Sequence, residues 1–145
     1  MIVVGVTGVV GSGKSTVSRM LAARGAKVLD ADVIAHHLMR PRTPVWQAMV
    51  NTFGRSMLNA DGTINRAGVA QRIFGNRRVR KTLERILHPR VIRVINDELK
   101  RFAKQRRVSV VVLDVPLLIE AGMVSMVDVL VVVTASARVR QERLQ

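Results

Sequence analysis

The chain of 145 residues contains no cysteine. A disulfide framework, a thiolate metal site and a cysteine nucleophile are therefore excluded. This usage fits a reducing interior, and a cytoplasmic location is expected. Tyrosine is absent as well, and aromatic residues make up only 3% of the chain, so stacking platforms for single-stranded nucleic acid are scarce. Acidic residues are few: 24 Lys and Arg face 10 Asp and Glu, a formal charge of +14. A field of that sign draws anions, whether nucleotides, phosphorylated metabolites or nucleic acid, and does not choose among them. Apolar runs such as 129–133 fall far short of the ~18 residues that span a membrane. Met1 leads directly into strand-like residues without a basic leader, so no targeting segment is expected. There is no internal repeat and no low-complexity linker. The length and the 48% hydrophobic content suit one domain, 1–145, with a sizeable core.

What is present alternates. Ile2-Val3-Val4-Gly5-Val6 is a nearly continuous β-branched run, the pattern of a strand buried on both faces of a parallel sheet. The same signature recurs at 108–113 and 127–133, with a shorter candidate at Lys27-Val28-Leu29, and helical segments separate them. The fold class that follows is α/β, a parallel sheet flanked by helices. Residues from about 43 to 105 read as a helical insertion, a lid or an acceptor-binding wall. Thr43 caps and Pro44 opens a helix to about Thr52, Asp61-Gly62 makes a turn, Asn65 caps a helix to about Phe74, and Asn76 caps one ending near Leu87. Pro89 biases its predecessor away from helical dihedrals, which places His88 at a corner between two helices.

Gly8-Val9-Val10-Gly11-Ser12-Gly13-Lys14-Ser15 satisfies the pattern G-x-x-x-x-G-K-S/T, preceded by a buried strand and followed by an amphipathic helix. Small residues at Gly8, Gly11, Ser12 and Gly13 let the backbone curl, so that successive N–H groups and the positive helix end face phosphate oxygens. Lys14 then reaches the β- and γ-phosphates of ATP, and Ser15 ligates Mg²⁺. A glycine-rich turn that only joined strand to helix would need neither the Lys nor the hydroxyl. A second metal ligand is expected from the end of a neighbouring strand, where Asp114 follows Leu113, although an Asp there also suits a simple loop. Asp30-Ala31-Asp32 follows the short strand at the carboxyl end of the sheet. One of these two carboxylates is expected to face an acceptor hydroxyl and the other to cap the next helix. His88 binds an acceptor phosphate or fills the helix corner. The basic clusters at 77–81 and 100–107 read as solvated helix faces, and His36-His37 as a surface or packed pair, not a metal site.

These residues together resemble the dephospho-coenzyme A kinases. The P-loop through Thr16, Leu29-Asp30-Ala31-Asp32, Phe53-Gly54 with Asp61-Gly62 and Arg66, Ile73-Phe74, Leu83-Glu84-Arg85-Ile86-Leu87-His88-Pro89 and Asp114-Val115-Pro116-Leu117-Leu118-Ile119-Glu120 carry the resemblance over nearly the whole chain. It implies a P-loop NTPase-type sheet with a helical substrate-binding insertion. It also implies transfer of the ATP γ-phosphate to the ribose 3′-hydroxyl of dephospho-coenzyme A, with Mg²⁺. By the same resemblance Asp32 is the base or orienting carboxylate, Lys14 stabilises the migrating phosphoryl, and His88, Leu117 and Glu120 belong to the acceptor pocket. Asp114 serves the metal, Thr16 completes the nucleotide site, and Arg143 stands at the start of a lid.

Two departures are mild: Val9 stands where the family commonly has Gly, and Ile119 where Phe is usual. The family continues through further lid arginines and an adenine-contacting segment, so the chain is expected to end within or before the lid. The fold is expected to survive that end better than the turnover. The alternatives are another P-loop nucleoside or nucleotide kinase, a nucleotide-binding form without turnover and, more remotely, a basic nucleic-acid-binding module.

Overall fold

The computed structural model describes residues 1–116 and 118–144. Four strands, β1 (Ile2–Thr7), β2 (Lys27–Asp30), β3 (Val110–Asp114) and β4 (Val129–Val132), form a parallel sheet in the order β2-β3-β1-β4. The chain is thus α/β, as the alternation of apolar runs and helices predicts. The helices are α1 (Lys14–Ala23), α2 (Ala31–Leu38), α3 (Pro44–Phe53), α4 (Arg66–Ile73), α5 (Arg77–Ala103) and α6 (Ala137–Leu144).

Burial follows strand position. In the central strands Val6, Val111, Val112 and Leu113 are fully buried, whereas Val129 and Val132 on β4 are about half exposed. Expecting every apolar run to be covered on both faces holds for β1 and β3 and not for β4, which among the described residues has a sheet neighbour on one side only. Asp128 fastens β4 to β1: the Val3 amide donates to its Oδ2 at 2.8 Å, and its own amide donates to the Val3 carbonyl at 2.8 Å.

By packing, the chain divides into a sheet unit, Met1–Asp32 with Ile95–Gln145, and a helical unit, Val33–Val94. The helical unit starts earlier and ends earlier than the insertion expected over 43–105. The reason on the C-terminal side is that Ile95 and Phe102, buried on α5, belong to the sheet unit, although the sequence there reads mainly as a basic solvated face. The helical unit is built on Val45, Met49, Met57, Ile64 and Val69, with Leu83, Ile86 and Leu87 of α5 packed against them.

Its helix starts lie where the capping residues put them. The Thr43 hydroxyl accepts from the Trp46 amide at 3.2 Å, Asn65 Oδ1 from Gly68 at 3.1 Å, and Asn76 Oδ1 from Val79 at 3.2 Å. The break expected at Pro89 does not occur: α5 runs 27 residues straight through it, and His88 sits inside the helix instead of at a corner. Proline leaves the Arg85 carbonyl without its usual donor, at a cost of about 3 kcal/mol. One residue further on, Arg90 Nη1 donates to the Ile86 carbonyl at 2.9 Å, so a side chain supplies a donor beside the gap. Burial of Leu83, Ile86 and Leu87 before the proline and of Ile95 and Phe102 after it outweighs a local penalty of that size.

Candidate active site

Parallel strands bring their carboxyl ends to one edge, and the register is specific: Val6 pairs with Asp114, and Asp114 with Asp30. The glycine-rich loop leaving β1 therefore emerges beside both acidic segments. Gly13, at φ 95°, caps α1 in the left-handed region open to glycine. Gly8 meets a different constraint, since a Cβ there would lie 2.6 Å from both the Val133 carbonyl oxygen and Ser12 Oγ. The loop can curl against the end of β4 only without a side chain at Gly8. Thr7 Oγ1 donates to the Pro116 carbonyl at 2.9 Å and ties the loop's entrance to the segment after β3.

A cavity of about 340 Å³ opens on this loop, lined by residues 8–16 together with Asp32, Pro116 and Arg143. Of the residues expected to act, Gly8, Gly11, Ser12, Gly13, Lys14, Ser15, Thr16, Asp32 and Arg143 thus share one wall. Lys14 Nζ pairs with Asp114 Oδ1, and the side chains are 15% and 5% exposed. The expected phosphate-binding cation and the expected metal ligand neutralise each other. Arg143 Nη1 donates to the Gly11 carbonyl at 3.0 Å and stands 3.2 Å from where a Gly13 Cβ would be, so α6 lays its guanidinium over the loop. Ser12 Oγ is buried without a hydrogen-bond partner among the described residues, an unusual state for a hydroxyl in a packed interior.

Asp30 Oδ1 accepts from the Asp32 amide at 2.8 Å at the start of α2, while Asp32 lines the cavity. A second cavity, of about 310 Å³, shares Gly8, Val9 and Pro116 with the first and adds Glu120, the end of β4 and Arg140. His88 lies exposed on α5 in the helical unit. Leu117 lies outside the described residues. His36 and His37 meet edge to face with ring centroids 6.4 Å apart, and Arg66 Nη1 is 3.2 Å from His36 Nδ1. Among the described residues no group of three or more His, Cys, Asp or Glu forms a metal cluster. Sequence reasoning missed Arg140. The available signal was its position three residues before Arg143 on one helix, which puts both on neighbouring surface.

A family model described as dephospho-CoA kinase matches residues 2–145. The chain belongs to the dephospho-CoA kinase family. A relative from Methylococcus capsulatus named dephospho-CoA kinase is 44% identical over 144 residues, covering 99% of this chain and 71% of the relative. One of the same name from Symbiobacterium thermophilum is 42% identical, covering 99% of this chain and 60% of its own length. Among solved structures, a Thermus thermophilus protein superposes with a TM-score of 0.73 at 30% identity, covering 99% of this chain and 70% of that one. The dephospho-CoA kinase of Campylobacter jejuni superposes with a TM-score of 0.61 at 20% identity over 98% of this chain and 93% of that one, a likeness of fold. Among the described residues no helix of this family member is long and apolar enough to cross a membrane.

Proposed function

We propose that the chain transfers the γ-phosphate of ATP to the ribose 3′-hydroxyl of dephospho-coenzyme A, giving coenzyme A and ADP, in the cytoplasm. The observation that carries this reading is the single cavity wall joining the P-loop, Asp32 and Arg143. In the reaction the 3′-oxygen forms a bond to the γ-phosphorus as the bond to the β–γ bridging oxygen breaks. ADP leaves, and the hydroxyl proton passes to the Asp32 carboxylate or is oriented by it. The loop amides and the α1 N-terminus hold the phosphates. Lys14 exchanges Asp114 for phosphate oxygen and follows the charge that moves to the leaving group. Arg143 adds a planar donor set on the same face.

Ser15 and Asp114 would hold Mg²⁺. A hydroxyl and one carboxylate, completed by phosphate oxygens and water, suit that ion, which rarely needs an all-protein cage. Bound there, it supplies charge neutralisation for the phosphates. Glu120, His88 and Leu117 are proposed as acceptor contacts on the strength of the motifs they occupy. Among other acceptors, nucleoside monophosphates are the rival substrates.

The test is coupled measurement of ADP release with ATP, Mg²⁺ and a panel of acceptors. Dephospho-coenzyme A is expected to be the preferred acceptor, and Asp32→Asn is expected to lower kcat by about 10²-fold or more. Preference for a nucleoside monophosphate, or an Asp32→Asn protein that turns over like its parent, overturns the assignment.

A further inference from the structure

Arg140 is a cation the P-loop reading does not use. Its backbone is fixed against the loop: a Cβ on Gly11 would stand 3.2 Å from the Arg140 carbonyl oxygen and 3.3 Å from its Cα. The amide of Arg140 is committed to the Ser136 carbonyl at 3.0 Å, one turn back on α6. The side chain is not committed in the same way. Its Nε is buried and has no hydrogen-bond partner among the described residues. The acid on the same helix, Glu142, is engaged by Arg138 at 3.1 Å. A guanidinium N–H taken out of water without an acceptor destabilises the free protein, and such a group calls for an explanation in function. Arg140 also forms part of the second cavity with Thr7, Gly8, Pro116 and Glu120, and that cavity adjoins the phosphate cavity through Gly8, Val9 and Pro116.

We infer that Arg140 donates to a phosphate oxygen of a substrate held across the two cavities, an anion contact separate from those of the P-loop and Arg143. The inference rests on the phosphotransferase reading above. Two sources carry the same chemistry: the terminal phosphate of the donor and the diphosphate of the acceptor. A planar guanidinium suits either, because it meets phosphate oxygens with paired donors where an ammonium offers a point charge.

Arg140→Met and Arg140→Lys separate this role from a structural one. Without ligand, Arg140→Met is expected to unfold at the parent's temperature or above it, since a buried donor lacking an acceptor has been removed. Titration calorimetry with ATP, ADP and dephospho-coenzyme A is then expected to show at least a tenfold loss of affinity, partly regained in Arg140→Lys. A loss for ATP and not ADP assigns the contact to the donor's terminal phosphate, and a loss for dephospho-coenzyme A assigns it to the acceptor. Parent-like binding of all three ligands to Arg140→Met overturns the inference, and so does a lower melting temperature with unchanged affinities. Failure of the underlying reading looks different. A parent protein that binds ATP but not dephospho-coenzyme A sinks the proposed acceptor, while the ATP and ADP comparison still decides Arg140. A parent that binds neither sinks both.

Discussion

The sheet unit and the helical unit bury different kinds of side chain. Among the described residues all four buried polar side chains, Thr7, Ser12, Ser18 and Asp114, lie in the sheet unit. The core cluster of the helical unit is Val45, Met49, Met57, Ile64 and Val69, apolar throughout. Burying a polar group costs free energy unless it is paired, and among the described residues that cost arises in the sheet unit. The helical unit is organised by ordinary packing and by capped helix starts. In the sheet unit the central strands supply the packing; Thr7 and Asp114 at their carboxyl ends are paired with Pro116 and Lys14, while Ser12 Oγ on the loop and Ser18 Oγ on α1 have no hydrogen-bond partner among the described residues.

The largest test of that contrast is Lys14→Met. Turnover is expected to fall by about 10²- to 10³-fold, the scale of losing one preorganised charge contact to the transition state. Stability is also expected to fall, by roughly 3–5 kcal/mol, because Asp114 would be left buried without its counter-ion. The double variant Lys14→Met with Asp114→Leu should recover most of the denaturation midpoint and none of the activity. A Lys14→Met protein with an unchanged urea midpoint would show that the pair contributes nothing to the fold.

Met49→Ala probes the other side. Met49 is 1% exposed at the centre of the helical unit, and its truncation is expected to cost about 2–5 kcal/mol. The affinity for ATP, measured at a temperature where the variant remains folded, is expected to stay at the parent's value. A matching loss of ATP affinity would dissolve the division of labour between the units.

How much of this could be read from sequence depends on whether the signal was local. The loop 8–15, the caps at Thr43, Asn65 and Asn76 and the runs that became β1 and β3 are set by neighbouring residues, and each lies where its pattern predicts. The helix through Pro89 is not a local signal: the proline penalty is set against burial of Leu83, six residues before it, on Val45, Met49, Met57, Ile64 and Val69, which are distant in sequence. The apolar residues of β4 gave no sign that it stands at the edge of the sheet among the described residues, since strand order is not written in composition. On the cavity wall, Asp32 and Arg143 occupy positions that motifs single out, whereas the Lys14 pairing with Asp114 requires the register of β1 on β3. Arg140 gave no motif at all.

The smallest expected effect lies in the turn before α4. The hydroxyl and the amide of Thr63 both donate to Asp61 Oδ1, at 2.6 and 3.0 Å, and the hydroxyl bond is the larger cause holding the carboxyl below its ordinary value of 3.8. A carboxyl whose folded pKa is lowered contributes stability that is complete above its unfolded value and is lost as pH falls through the folded one. Acid titration of Asp61→Ala, followed by circular dichroism, is therefore expected to show a slightly shallower loss of stability below pH 3.8 than the parent. Because Asp61 is fully exposed, the difference should be marginal.

Trp46 is the chain's one tryptophan, and its indole Nε1 donates to the Gly62 carbonyl at 2.8 Å, both within the helical unit. With no tyrosine in the sequence, nearly all intrinsic emission comes from that single ring. The sheet unit, with the P-loop, is optically silent. Light emitted on adding a nucleotide can change only if the disturbance reaches the helical unit, so one fluorescence titration distinguishes a ligand confined to the P-loop from one whose binding is felt across both units.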